Sequence, residues 1–156
     1  MSYSIAGLPV EPFQAFFGLP DEELARHHIV RMTADSPVGF PCRVLLKDAR
    51  VGETLLLLNH EYQPAETPYR GRHAIFVNEA ARAPGKFVDQ VPAVLAVRKA
   101  ISLRAFDAAG MMIDADVVRG AEVEPLILRL FDNPRTAYIH AHNAGRGCFA
   151  ARIDRT

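Results

Sequence analysis

Two of the six histidines and one of the two cysteines fall within Tyr138 to Phe149, YIHAHNAGRGCF, and this stretch narrows the fold more than any other. Residues alternate in character up to the glycines and small residues follow them, the pattern of two strands joined by a tight loop. A three-residue loop, Gly145-Arg146-Gly147, gives Gly147 the left-handed position that closes a type I turn with a bulge. Ala144 then faces Cys148, Asn143 faces Phe149, Ala141 faces Ala151 and Ile139 faces Ile153. One side of this hairpin is apolar apart from Asn143, and the other carries Tyr138, His140, His142, Cys148 and Arg152. A loop one residue longer sets His142 beside Phe149 and scatters the apolar set over both faces, which strand pairing disfavours. The spacing therefore predicts His140, His142 and Cys148 on one shared surface.

Residues 100–118 repeat the pattern. With Ala108-Ala109-Gly110 as the loop, Asp107 faces Met111, Ala105 faces Ile113, Leu103 faces Ala115 and Ile101 faces Val117. The reverse face then pairs Arg104 with Asp114 and Ser102 with Asp116, each cross-strand pair worth up to about 1 kcal/mol. Between the two hairpins, Glu122 to Phe131 reads as a helix with Pro125 in its first turn and an apolar stripe of Leu126, Ile127, Leu130 and Phe131. The second half is thus a ββαββ unit whose helix covers two matching apolar faces.

Earlier in the chain, Phe13, Phe16 and Phe17 at helical spacing, Gly18 as a stop and Pro20-Asp-Glu-Glu as a new start predict two short helices. Acids at 21–23 and His27 and His28 at the far end suit the helix dipole. His28 to Thr33 continues as an edge strand, and Cys42 to Leu46 reads as another. Leu55 to Leu58, four leucines in a short bounded run, predict a strand buried on both faces and so interior to its sheet. His60 lies where that strand leaves the core. Residues 64–73 form a loop, and residues 91–98 a turn or two of helix. These elements place the chain in the α+β class: a single domain over residues 1–156, mainly antiparallel, with the C-terminal ββαββ unit and short N-terminal helices.

Eighteen basic against eighteen acidic side chains leave no global field toward nucleic acid or an anionic membrane, so neither is an expected partner. No signal or spanning segment is apparent. Two cysteines do not make a disulfide framework, so both are expected as thiols in a reducing compartment, the cytoplasm.

Three constellations carry chemistry. His140 and His142, at i and i+2 of a strand, point the same way with Cα atoms about 6 to 7 Å apart, so both reach one ion or one substrate. A metal needs a third ligand, with Cys148, His60 or Glu61 as candidates, and spacing fixes none of them. The cupin pattern fails because no Glu follows Glu124, and the histidine-triad pattern fails because position 144 is Ala. No metal is therefore expected; if one binds, His140, His142 and His60 are the candidates. Second, a thiol becomes nucleophilic when a neighbour stabilises its thiolate; Cys148 is diagonal to His142, and Cys42 precedes Arg43. Unpaired cysteine more often acts as a small buried hydrophobe. Third, Arg43, Arg70, Arg72 and Arg146 sit in or beside loops, where guanidinium groups clamp carboxylates or phosphates. No nucleotide-binding glycine pattern, Walker loop or nucleophile elbow is present, and no cofactor is expected.

Gly39-Phe-Pro-Cys-Arg, Leu56-Leu-Leu-Asn-His-Glu, Thr67-Pro-Tyr-Arg, His73-Ala-Ile-Phe-Val and Tyr138 to Phe149 together resemble an uncharacterised bacterial family, domain of unknown function 1203. The resemblance spans nearly the whole chain. It implies a small single-domain bacterial protein and carries no catalytic residue, cofactor or partner with it. His73 departs from the pattern, where a small residue such as Gly is expected.

The leading functional expectation is a pocket for a small anionic metabolite, binding or enzymatic, on the polar face of the 138–152 hairpin. The Cys42-Arg43 strand and the Tyr69-Arg70 loop would join it. His140 or His142 then acts as acid or base, with Cys148 and Cys42 as candidate nucleophiles. Asn143 or Tyr69 orients, and Arg43, Arg70 or Arg146 holds the anion. The alternatives are a non-catalytic interaction protein with structural histidines whose apolar faces form a homodimer, and a transition-metal site at His140 and His142.

Overall fold

The computed structural model describes residues 1–156. In chain order the elements are β1 (Tyr3–Ala6), α1 (Glu11–Gln14), α2 (Asp21–Arg26), β2 (Val30–Thr33), β3 (Pro41–Cys42), β4 (Lys47–Asp48), β5 (Thr54–Gln63), β6 (Gly71–Asn78) and β7 (Lys86–Val88). Then follow α3 (Ala93–Ala96), β8 (Ile101–Phe106), β9 (Met112–Val118), a 3₁₀ turn (Gly120–Glu122), α4 (Val123–Asp132), β10 (Tyr138–Asn143) and β11 (Phe149–Arg155). They build an α+β fold of two sheets. One has the strand order β7-β1-β11-β10-β8-β9 and the other β2-β5-β6-β3-β4. Every pairing is antiparallel except the single β3–β6 contact at Cys42 and Phe76.

The ββαββ unit forms as its periodicity requires. Val123, Leu126, Ile127, Leu130 and Phe131 of α4 are buried. They pack on Leu103, Ala105, Ile139, Ala141, Ala151 and Ile153 of the six-stranded sheet. Each of the Val, Leu, Ile and Phe side chains contributes about 1.5–3 kcal/mol on burial. The second core lies between the other sheet and the N-terminal helices, where Phe13, Leu24 and Ile29 meet Leu56, Leu58, Ile75 and Val77. The leucine strand is interior to its sheet, flanked by β2 and β6.

Two local expectations are corrected. The strand read over Cys42 to Leu46 ends at Cys42, because the chain turns there: the Leu46 amide donates to the Cys42 carbonyl at 2.9 Å, and Leu46 takes φ +53°. That turn is gripped by its neighbours, with the Leu8 amide on Arg43 O and the Gly85 amide on Val44 O. The β8–β9 register also differs. The three-residue loop and the Asp107–Met111 pairing are present, but a bulge beyond Phe106 shifts the rest by one, so Arg104 faces Ala115 and Leu103 faces Asp116. The strand β9 is a largely exposed edge, so its register is set without a buried face to enforce alternation. Arg129 of α4, and not Arg104, pairs with Asp114 and Asp116.

Candidate functional site

The hairpin of β10 and β11 positions the site through a loop and a bulge. The loop is one residue longer than three: the Asn143 amide donates to Cys148 O at 2.9 Å, which leaves residues 144–147 to turn. His142 therefore faces Phe149, yet Ala141 still faces Ala151 and Ile139 still faces Ile153, because Ala150 is an extra residue in the ladder. A bulge puts two residues of one strand opposite one of its partner, and here it restores the apolar register that the longer loop would have lost. Phe149 is thereby turned to the histidine side, and Cys148 pairs with Asn143 on the other side of the strand.

The two histidines and Cys148 consequently do not share a surface. His140 and His142 are 2% and 0% exposed. They are enclosed by Phe106, Tyr138 and Phe149 of their own sheet and by Tyr62, which crosses from β5 and meets the His142 ring edge-on at 4.8 Å. His142 Nδ1 donates to Gly147 O at 2.9 Å, which fixes the tautomer and leaves Nε2 as an acceptor without a donor. His140 Nδ1 likewise has no partner. Desolvation by burial lowers both rings far below the usual imidazole value, His140 to about 3 and His142 to about 4. They are neutral groups in an aromatic interior.

On the opposite side of the hairpin a cleft opens. Arg43 is 5% exposed and reaches it through the turn after β3. Its Nε donates to Phe149 O, its Nη1 to Pro41 O at 3.1 Å and its Nη2 to the Cys148 sulfur at 3.4 Å. Asn143 Nδ2 donates to the same sulfur at 3.2 Å, and Asn143 Oδ1 is left without a partner. Burial pushes the Arg43 guanidinium below its ordinary value; the Cys148 sulfur counters this and the nearby Arg98 adds to it.

Two adjoining depressions, of about 370 and 530 Å³, share Arg98, Asn143, Arg146 and Cys148. Arg43 and His73 line one of them, Lys99 lines the other, and neither is lined by a carboxylate. Arg98 is anchored by Nε donating to Val94 O at the end of α3. His73 reaches from β6 to the loop, its Nε2 3.1 Å from Arg146 O, while its Nδ1 lies 3.0 Å from Ala74 O. Since carbonyls only accept, a neutral ring can satisfy one of these two.

Of the residues singled out in the sequence, the fold brings together Arg43, Asn143, Arg146 and Cys148. It leaves the others elsewhere. Cys42 is 1% exposed, its sulfur accepting the amides of Leu45 and Asn78 inside the second core. Tyr69 packs edge-on against Phe106, near the Tyr138 end of β10, whereas the cleft lies at the Asn143 end. Those ends are about 17 Å apart at the rise of a strand. Arg70 and Arg72 pair with Glu61. His60 meets Phe13 edge-on. No three His, Cys, Asp or Glu side chains are grouped so as to hold a metal ion. Arg98, Lys99 and His73 were not among the expected site residues. The helical turn at 93–96 that precedes Arg98 has too few residues for a clear period, and His73, read as the end of a loop over residues 64–73, lies instead within β6.

Residues 39–155 match the family model described as "Protein of unknown function (DUF1203)". The match covers the cleft with all its lining residues. No curated protein and no solved structure matches the chain.

Proposed function

The chain belongs to the DUF1203 family, and from that premise we propose that it binds a small anion, a carboxylate or phosphate ester, in the cleft beside Cys148. The observation that carries this reading is Arg43: a buried guanidinium whose partners are two carbonyls and a sulfur, with no carboxylate among them. A buried cation is costly unless paired. Arg98, Lys99 and Arg146 gather around the same opening in a protein of zero formal charge. An anion with two or more oxygens would bridge these cations, with Asn143 to orient it. The setting we propose is the reducing cytoplasm, which suits two free thiols.

A thermal-shift series with phosphate, citrate and phosphorylated metabolites tests the reading. Ligand at about 100 times its dissociation constant adds roughly 2.7 kcal/mol, a rise of roughly 5–10 °C for a chain of this size. The rim pair Arg98→Glu with Arg146→Glu should abolish that rise without unfolding the protein. Equal stabilisation of wild type and the pair, or none by any anion, removes the proposal.

A further inference from the structure

We infer that Cys148 is a nucleophile toward anionic disulfides, attacking small disulfides that carry carboxylates. The inference rests on the anion-site reading and adds a reaction to it. Three observations meet at the sulfur. It lies in the cationic cleft, partly exposed, while the other thiol of the chain is sealed in a core. It accepts hydrogen bonds from two donors, Arg43 Nη2 and Asn143 Nδ2, so its lone pairs are used as an acceptor's. And Arg43, buried without a carboxylate partner, directs one of its donors at this sulfur, the one acceptor it bonds that is not a backbone carbonyl. A guanidinium N–H and an amide N–H both aimed at one sulfur at the edge of an open cleft are a donor set suited to an attacking sulfur.

The step balances without further reagents. The Cys148 thiolate attacks one sulfur of the disulfide, a new S–S bond forms to the protein, and the old S–S bond breaks with its electron pair on the departing thiolate. The disulfide is the oxidant and Cys148 is oxidised. Arg98, Lys99 and Arg146 hold the carboxylates of the incoming molecule, which sets the preference for anions over neutral disulfides.

The probes are 5,5′-dithiobis(2-nitrobenzoate), a dianion, and 2,2′-dipyridyl disulfide, which is neutral; both release a coloured thiol. The ratio of their rates on native protein is compared with the same ratio on free cysteine. The expected result is a ratio at least about tenfold higher on the protein, the scale of electrostatic steering into a charged cleft. One equivalent should react rapidly, none with Cys148→Ser, and the ratio should fall to that of free cysteine in the Arg98→Glu, Arg146→Glu pair. Phosphate and citrate are tested in parallel for thermal stabilisation of Cys148→Ser. If they stabilise it while Cys148 reacts more slowly than free cysteine with both probes, the nucleophile is overturned and the anion site stands. Rapid reaction without charge preference overturns the anionic substrate class. Absence of both stabilisation and charge preference overturns the inference together with the site.

Discussion

Tyr62 lies flat over Phe149, with 3° between the ring planes and 5.9 Å between centroids, and so joins the two sheets by a stacked aromatic pair. Behind this pair His140 and His142 lose their access to water. An aromatic stack contributes about 0.5–1.5 kcal/mol beyond its burial, but here its larger effect is electrostatic. It keeps two imidazoles in a medium that disfavours their charged form.

Acid should therefore unfold the protein earlier than its carboxylates alone require. Unfolded imidazoles titrate near 6.5, and the folded rings near 3 and 4 because burial desolvates them. Between those values the unfolded chain binds more protons, so unfolding free energy rises with pH across the window and falls as acid is added. Each ring contributes a slope of about 1.4 kcal/mol per pH unit there and none above about pH 7. Urea unfolding at pH 7, 5.5 and 4.5 measures it, and His140→Leu should flatten the slope by one ring's share. An unchanged slope in that variant would show that the ring is not kept neutral.

Arg31 and Glu79 form a second polar cluster that should carry measurable stability. Glu79 accepts from Arg31 through both oxygens, from Thr54 and from the Gly18 amide, and the Arg31 hydrogen bond chiefly holds its carboxyl at about 2. Arg31 also donates to Leu19 O and pairs with Asp21. Glu79→Ala leaves Arg31 with only Leu19 O and Asp21 and takes the acceptor from the Thr54 hydroxyl and the Gly18 amide, a loss of about 1–3 kcal/mol. Denaturant midpoints at pH 7 test this, and the difference should shrink as pH falls from above 4.5 through 2, where the wild-type carboxylate itself is protonated.

Two glycines separate close packing from backbone conformation. A Cβ on Gly7 would sit 1.8 Å from Val44 O and 3.2 Å from Arg43 O, whereas Gly18, at φ +73°, has nothing within 4 Å. Gly18→Ala should cost about 1–2 kcal/mol, the penalty for an L-residue in the left-handed region. Gly7→Ala should cost more, because two backbone segments must part, and it should also disturb the turn that presents Arg43. Thermal melts of the two variants decide the order.

Core and rim of α4 give a further contrast. Ile127→Ala, at a fully buried position, should cost about 2–5 kcal/mol. Leu128→Ala, one residue on and 37% exposed, should cost under about 1 kcal/mol. Comparable losses would mean that the helix does not present the face described.

The apolar period of α4 and of the two hairpins was readable because burial on one face forces alternation or a 3.6-residue repeat. The bulges were not. Ala150 looks like any other small strand residue, and only the ladder shows that it is extra. Alternation assigned His140 and His142 to the side away from α4, which holds. It could not say whether that side is open, since the covering ring, Tyr62, comes from a strand some eighty residues earlier in the chain. Of the cleft, Arg43, Asn143, Arg146 and Cys148 were legible as residue types beside loops or glycines. Arg98 was not, because it follows a single helical turn, Ala93–Ala96, too short to show a period. Cys42 and Arg43, adjacent in sequence, separate into a core and a cleft because the chain turns between them.

The first strand meets the last: Tyr3 is opposite Arg155 and Ile5 opposite Ile153, and β1 has only the three residues of β7 on its other side. β1 thus precedes its main partner, β11, by nearly all the other elements of this fold. Closing so long a loop is slow compared with forming local hairpins. The β5–β6 ribbon and the ββα portion can be structured while the six-stranded sheet still lacks two of its inner strands, and the arrival of residues 149–155 completes both that sheet and the Cys148 cleft in one late event.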